Sequence, residues 1–250
     1  MPETYHETSD GRSTPLLSLV LVLVFLIGLG ILTWYLVAAP GSQLLGATLV
    51  RGRKDRAVAA LTFDDGPGEQ TPQILDALKQ AGVRATFFLC GSNVERYPDH
   101  ARRIAQAGHE IGNHTYSHRR LLFKTPGKIA WEIDRAQKVI EHHTGRRPAF
   151  FRPPYGLRWF GLFPILGQQQ LKTVMWSVNA LDWRRPAEQI VERVVALARP
   201  GVIILLHDGM PPQETGDRSA TAAALPAILR QLEGRYRFVT VSELESEDRG

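Results

Sequence analysis

The chain has 250 residues, of which 44% are apolar, a formal net charge of +5 and one cysteine. That is enough apolar material for one α/β domain plus an appendage, and it excludes a disordered chain and an internal disulfide framework. The positive excess is modest and spread out, and no zinc-finger, RNA-recognition or helix-turn-helix signature accompanies it, so no nucleic-acid partner is expected; a basic surface also suits an anionic envelope polymer or lipid.

Residues 1–15 read as a polar N-terminal tail. Leu16 to Ala39 carries no charge and is dominated by Leu, Val and Ile. At helical rise it spans roughly 36 Å, against a hydrocarbon core of ~30 Å. Trp34 and Tyr35 near its far end suit a membrane interface. Residues 16–39 are therefore expected to be one transmembrane helix, a retained signal anchor. The rival is a cleaved secretory signal, because Val37-Ala38-Ala39 resembles a small-residue cleavage site. Against it, the apolar run is long and a basic leader is nearly missing. Charge placement conflicts with an outward-facing domain: only Arg12 precedes the segment, while Arg51, Arg53, Lys54 and Arg56 follow it. Those cations begin about a dozen positions past the apolar run, and long folded domains override the bias. Residues 40–56 read as a linker, 57–242 as the main domain and 243–250 as a polar C-terminal tail.

From Ala57 onward short apolar runs alternate with amphipathic stretches. Strands are expected at Val58–Phe63, Ala85–Cys90, His109–Gly112, Ala149–Arg152, Leu171–Val178, Val202–His207 and Arg237–Val241. Helices are expected at Thr71–Ala81, Asp99–Ala107, Thr125–His143, Ala187–Ala198 and Thr221–Leu232, several closed by glycine. Such alternation implies a parallel sheet covered by helices, either an open doubly wound sheet or a closed or partly closed barrel. No glycine-rich dinucleotide fingerprint or phosphate loop follows any strand. Cys90, inside an apolar run, reads as a small buried hydrophobe.

Polar residues gather at the expected strand ends, where parallel α/β folds place their chemistry. Thr62-Phe-Asp64-Asp65-Gly-Pro67 runs a buried strand into two carboxylates. His114 and His118, four apart, share one face if they sit on a helical turn, a spacing that lets two imidazoles grip one metal. With one carboxylate they make a two-His-one-carboxylate set that leaves positions open for water and substrate. Arg152, stiffened by Pro153 and Pro154, is placed to pair with an aspartate. Asn179-Ala-Leu-Asp182-Trp183 ends another strand in an acid and an aromatic, with Trp183 either packing at the rim or stacking on sugar. His207 ends the most apolar strand.

Taken in order, Thr62-Phe-Asp-Asp-Gly-Pro67, His114-Thr-Tyr-Ser-His118, Arg152-Pro-Pro-Tyr-Gly156, Asn179-Ala-Leu-Asp-Trp183 and Leu205-Leu-His207 resemble the five motifs of the polysaccharide deacetylases, the family 4 carbohydrate esterases with a NodB-type homology domain. The resemblance covers roughly Ala57 to Val241. It implies a distorted (β/α) barrel with fewer than eight repeats and metal-dependent removal of acetyl groups from N-acetylated sugars. By motif, Asp65, His114 and His118 bind one divalent ion, typically zinc. Asp64 is the general base and His207 the general acid. Arg152 orients Asp64, Asp182 pairs with His207, the Tyr155 backbone N–H holds the oxyanion, and Trp183 contacts the glycan. One departure stands out: the family commonly has an acid where this chain has Asn179. The expected substrate is an acetylated cell-envelope or extracellular glycan, peptidoglycan or chitin-like, met by a domain held outside the cytoplasm at the cell membrane. The alternatives are a deacylase acting on acetylated xylan or a small amide, and a glycan-binding module without turnover.

Overall fold

The computed structural model describes residues 13–247. Most of the expected N-terminal tail and the last three residues lie outside them. The first helix, α1 (Ser13–Ala38), is exposed along nearly its whole length, and its segment Pro15–Ala38 is long and apolar enough to cross a membrane. A sheet of nine strands follows: β1 (Thr48–Leu49), β2 (Val58–Gly66), β3 (Thr86–Leu89), β4 (Glu110–Asn113), β5 (Phe150–Phe151), β6 (Lys172–Val174), β7 (Val178–Asn179), β8 (Val202–His207) and β9 (Arg237–Phe238). Every strand pairing among the described residues is parallel, in the order β1-β6-β5-β4-β3-β2-β8-β7, with β9 beside the start of β2. Helices α2 (Thr71–Gln80), α3 (Gly91–Arg96), α4 (Pro98–Gln106), α5 (Pro126–Thr144), α6 (Leu162–Gln168), α7 (Ala187–Leu197), α8 (Ser219–Leu232) and α9 (Val241–Glu247) complete the chain.

The connection from β6 to β7 shows that the sheet curls. Those strands lie on opposite flanks, six steps apart along the sheet, which is roughly 29 Å if flat. The chain covers the gap from Val174 to Val178, and four residue steps reach at most about 14 Å. The flanks must therefore come together, and the barrel expected from the motifs is present in distorted, incomplete form. The single strand expected over Leu171–Val178 is split for this reason: its first part pairs with β5 and β1, its second with β8.

Strand alternation sorts the core into two compartments. Ala59, Leu61 and Phe63 of β2 and Val202, Ile204 and Leu206 of β8 pack outward against Ile74, Leu78, Val194 and Leu225 of the helices. Ala60 and Ile203 point the other way, into a plug with Phe88, Phe150, Val174 and Leu244. Two expectations change in detail. The stretch 40–56 contains β1, which pairs with β6, so it is not all linker. The last strand ends at Phe238, and α9 follows with Leu244 buried, extending ordered structure into the expected C-terminal tail.

Candidate active site

Inward parity carries Ala60 and Ile203 on to Thr62, Asp64 and His207, so the polar ends of β2 and β8 rise above the apolar plug. Asp64 and His207 are direct cross-strand partners in register. Asp65, the next residue, would point outward on a regular strand. Instead the chain turns there with φ of 66°, which brings both carboxylates to one cleft.

Beneath them lies Arg152, wholly buried, its guanidinium 4.1 Å from the centre of the Phe88 ring. It donates to Asp64 Oδ1 at 2.6 Å, to Thr62 Oγ1 at 2.8 Å and to the backbone carbonyls of Val174 and Met175. Burial pulls its pKa down and Asp64 opposes that. A guanidinium stays charged in proteins, so the pair is a fully desolvated ion pair with its donors engaged.

Asp65 Oδ1 lies 3.3 Å from His114 Nε2 and 3.1 Å from His118 Nε2, all three side chains being buried. Ligand atoms held at 2.0–2.2 Å around a tetrahedral zinc are about 3.4 Å apart, so these distances fit the edges of such a site. The tautomer of His114 supports the same reading. Its Nδ1 is 2.7 Å from the Arg152 carbonyl, which only accepts, so Nδ1 carries a proton and Nε2 is the nitrogen that faces Asp65. His118 is pushed down to about 4, by burial first and by His114 and His207, with Asp65 opposing. A neutral imidazole of this kind is a competent ligand. Asp65 Oδ1 has no hydrogen-bond donor despite its burial, a costly state for a carboxylate. Burial pushes its pKa up, yet the imidazoles of His118 and His114 win and hold it well below the usual carboxylate range. A cation among the three groups would satisfy the orphaned oxygen and the ring nitrogens that face it.

The histidine pair does not ride on a helical turn, as its spacing suggested. Residues 114–118 form a tight loop with positive φ at Thr115 (67°) and His118 (53°). Polar side chains satisfy its backbone in place of helical bonds. Asn113 Oδ1 accepts from Thr115 N–H, and Thr115 Oγ1 accepts from His118 N–H. Glu132 of α5 accepts from the N–H groups of Tyr116 (3.1 Å) and Ser117 (2.8 Å) and from the Ser117 hydroxyl. The motif analysis did not single out Glu132. Its signal was an acid on the apolar face of α5, between Ile129 and Ile133.

Across the cleft, His207 Nδ1 is 2.8 Å from Asp182 Oδ1, while Asp182 Oδ2 accepts from the His207 backbone N–H and from Thr221 Oγ1. Burial lowers the pKa of His207, but Asp182 first and then Asp65 and Asp64 overcome this and raise it to about 9. Trp183, 43% exposed, meets the His207 ring edge-on at 5.3 Å. Tyr155 sits at positive φ in a 3₁₀ turn, half-exposed, with its ring 4.7 Å from that of His118. Asn179 Oδ1 accepts from Leu181 N–H and so holds the turn before Asp182 without a charge. Of the nine site residues expected from the sequence, Asp64, Asp65, His114, His118, Tyr155, Trp183 and His207 line one cleft of about 570 Å³, with Asn179, while Arg152 and Asp182 stand behind its wall. Cys90, buried at the end of β3, takes no part beyond a contact with the His114 carbonyl. Of seven non-glycine positive-φ residues among those described, Asp65, Thr115, His118, Tyr155 and Leu181 surround this cleft, where local strain collects at functional sites.

Asp208 also went unassigned in the sequence. It is fully buried behind the site, accepts from Thr71 Oγ1, and packs so closely on Gly66 that a Cβ there would lie 2.2 Å from its Oδ1.

Residues 51–159 match the family model described as polysaccharide deacetylase. A peptidoglycan-N-acetylglucosamine deacetylase of Bacillus cereus is 39% identical over 77% of this chain and 70% of its own length. The chain belongs to the polysaccharide deacetylase family. This chain is also 38% identical to a chitooligosaccharide deacetylase of Azorhizobium caulinodans, over 70% of its own length and 88% of that protein. The crystal structure of a peptidoglycan N-acetylglucosamine deacetylase superposes on it with a TM-score of 0.75 at 38% identity, covering 79% of this chain and 92% of that one. Deacetylase chemistry on carbohydrate follows for this chain.

Proposed function

We propose that the protein is a metal-dependent hydrolase that removes N-acetyl groups from N-acetylglucosamine-type units of a cell-envelope or extracellular polysaccharide, peptidoglycan or a chitin-like polymer, and releases acetate. The observation that carries this reading is the buried Asp65–His114–His118 cluster, with a carboxylate (Asp64) and a charged imidazole (His207) in the same cleft. Asp65, His114 and His118 hold one divalent ion, zinc by the chemistry of the donor set. When bound, the ion polarises the amide carbonyl and lowers the pKa of a water from about 15.7 towards about 7.

The chain's own groups do the rest. Asp64, oriented by Arg152, takes a proton from the attacking water. The backbone N–H of Tyr155 donates to the oxyanion that forms as the C=O bond opens, a contribution on the order of 3–4 kcal/mol for a good donor. His207, protonated at neutral pH, gives a proton to the amide nitrogen as the C–N bond breaks, because an amine leaves poorly without one. Asp182 fixes its ring and its charge. Trp183 offers a sugar ring an aromatic face. Water and the N-acetyl sugar are consumed; acetate and a free amino sugar result. The catalytic domain, with β1 in its sheet and α9 closing its core, stands outside the cytoplasm on a single membrane-spanning α1.

The test is acetate release from acetylated chito-oligosaccharides, with and without chelator, by the native protein and Asp64→Asn. The expected result is chelator-sensitive release that falls by orders of magnitude in the variant while glycan binding persists. Unchanged release by the variant overturns the base assignment. Comparing release from peptidoglycan, chito-oligosaccharides and acetylated xylan separates the N-deacetylase from the esterase alternative. A binding module without turnover is disfavoured by the site itself, which lacks none of the ligand, base or acid groups.

A further inference from the structure

We propose that the face built from Arg119–Lys128 and Trp159–Phe163 lies on an anionic lipid surface and holds the catalytic cleft beside the bilayer. The inference rests on α1 being a membrane span. It starts from how α1 ends. Arg158, wholly buried, donates its backbone N–H to the carbonyl of Val37 at 3.0 Å, and its guanidinium donates to the carbonyls of Ala39 and Ser42. Carbonyls at a helix C-terminus lack partners within the helix and favour a cation. Val37 and Ser42 are buried by this docking, so the domain sits against the end of α1.

Docking fixes depth. The 24-residue segment Pro15–Ala38 spans roughly 36 Å, about 6 Å more than a ~30 Å hydrocarbon core. The last turn of α1 therefore stands at the headgroups, and so does whatever touches Val37. Trp159 and Phe160 follow Arg158 directly, and the Phe123 ring meets Trp159 at 4.7 Å. Phe123 is 77% and Phe160 59% exposed, as are Trp34 and Tyr35 on α1 at the same level. Aromatic side chains favour that layer.

Charge supports the same occupant. Residues 39–46, 119–131 and 157–163, joined by the contacts of Arg158 with Ala39 and Ser42, of Gly46 with Phe163 and of Phe123 with Trp159, contain no Asp or Glu, although the chain carries 25. Arg119, Arg120, Lys124 and Lys128 are exposed around Phe123 and Trp131. Juxtamembrane cations of this kind are attracted to anionic headgroups. The one acid lining the groove beside these cations, Glu132, is turned inward and occupied by the N–H groups of Tyr116 and Ser117. The cleft adjoins this face: Arg120 lies over the ring of Tyr155 at 4.9 Å, and Tyr155 precedes Arg158 by three residues. Glycan within reach of the membrane surface would then be the substrate pool.

The experiment uses the full chain in nanodiscs, labelled with an environment-sensitive fluorophore at Phe123→Cys or Phe160→Cys, with Lys79→Cys on α2 and Leu29→Cys within α1 as references; the native Cys90 is buried. With phosphatidylglycerol present, labels at 123 and 160 should blue-shift and be quenched by headgroup-level lipid quenchers, while 79 stays aqueous. Neutral lipid, or Lys124→Glu with Lys128→Glu, should weaken the shift at least twofold. Aqueous labels at 123 and 160 with 29 in lipid overturn the inference and leave the anchor standing. An aqueous label at 29 overturns the membrane reading of α1 and the inference with it. Labels at 123 and 160 that respond to soluble acetylated glycan but not to lipid assign the face to glycan instead and overturn the proposal.

Discussion

His207 is held by Asp182 at two points: its Nδ1 lies 2.8 Å from one carboxylate oxygen, and its own backbone N–H donates to the other, also at 2.8 Å. A side chain clamped to the residue's own main chain has little freedom to turn, so Nε2 is left as the atom free to meet substrate. Asp182 also carries charge to the ring. His207 is raised from 6.5 to about 9 against the opposing effect of burial. A raised folded pKa means that the charged pair stabilises the fold fully below about 6.5 and that this stabilisation is lost as pH rises through about 9. If His207 is the general acid, as proposed, the same titration sets the alkaline limb of activity. Asp182→Asn should move the alkaline limb of kcat/KM downward and lower kcat on the order of 100-fold or more. A pH–rate profile checks both; a limb that stays in place would mean that Asp182 does not set the charge of His207.

Arg152 makes the prediction about stability. Arg152→Met leaves Asp64 buried without its counter-ion and strands two main-chain carbonyls. Breaking a buried pair from one side costs about 3–5 kcal/mol. Denaturant unfolding should show that loss, and acetate release should fall with it. Arg152→Lys restores charge but not the planar fork that reaches Asp64, Thr62 and both carbonyls at once, so it should recover only part of either quantity. Full recovery by lysine would reduce the role of Arg152 to charge alone.

The sequence carried the polar groups of the cleft more legibly than the framework around them. Asp64, Asp65, His207 and Arg152 stand at ends of apolar runs, and strand parity is enough to place Asp64 and His207 on one face. The loop of His114 and His118 is not legible because four-residue spacing is equally compatible with a helical turn and with a loop whose backbone is capped by Asn113, Thr115 and Glu132. Glu132 is distant in sequence, and its meaning appears only when α5 packs behind the loop. The split between β6 and β7 was hidden for a similar reason: Leu171–Val178 is uniformly strand-like, and only barrel curvature decides that its two ends serve different neighbours. Short helices such as α3 and α6 hold too few turns to show a period.

Glu132 supplies a prediction of its own. Glu132→Gln keeps the shape but weakens the three hydrogen bonds that hold residues 116 and 117. Groups that orient metal ligands typically cost 10–100-fold in metal affinity when changed. Zinc titration of the metal-stripped protein should show a loss of that order with only a small change in melting temperature. A large fall in melting temperature with unaltered affinity would instead mark Glu132 as a residue of the fold alone.

Asp208 gives the last prediction, and it concerns pH again, in a lower window than His207. Burial first, aided by Asp65 and Asp64 and opposed by the Thr71 hydroxyl, raises its carboxyl from 3.8 to about 7. One of its oxygens has no donor. Between about pH 4 and 7 the folded state therefore binds a proton that the unfolded chain releases, so this group makes stability fall as pH rises across that window. Asp208→Asn removes the titration and keeps the volume against Gly66. In metal-stripped protein it should be more stable at pH 7 than the native chain by a few kcal/mol, on the order of the shift, and the gap should close towards pH 4. Denaturation at a series of pH values measures this directly. A variant that is equally destabilised at both ends of the window would show that the Thr71 contact, and not the ionisation, decides what Asp208 does for the fold.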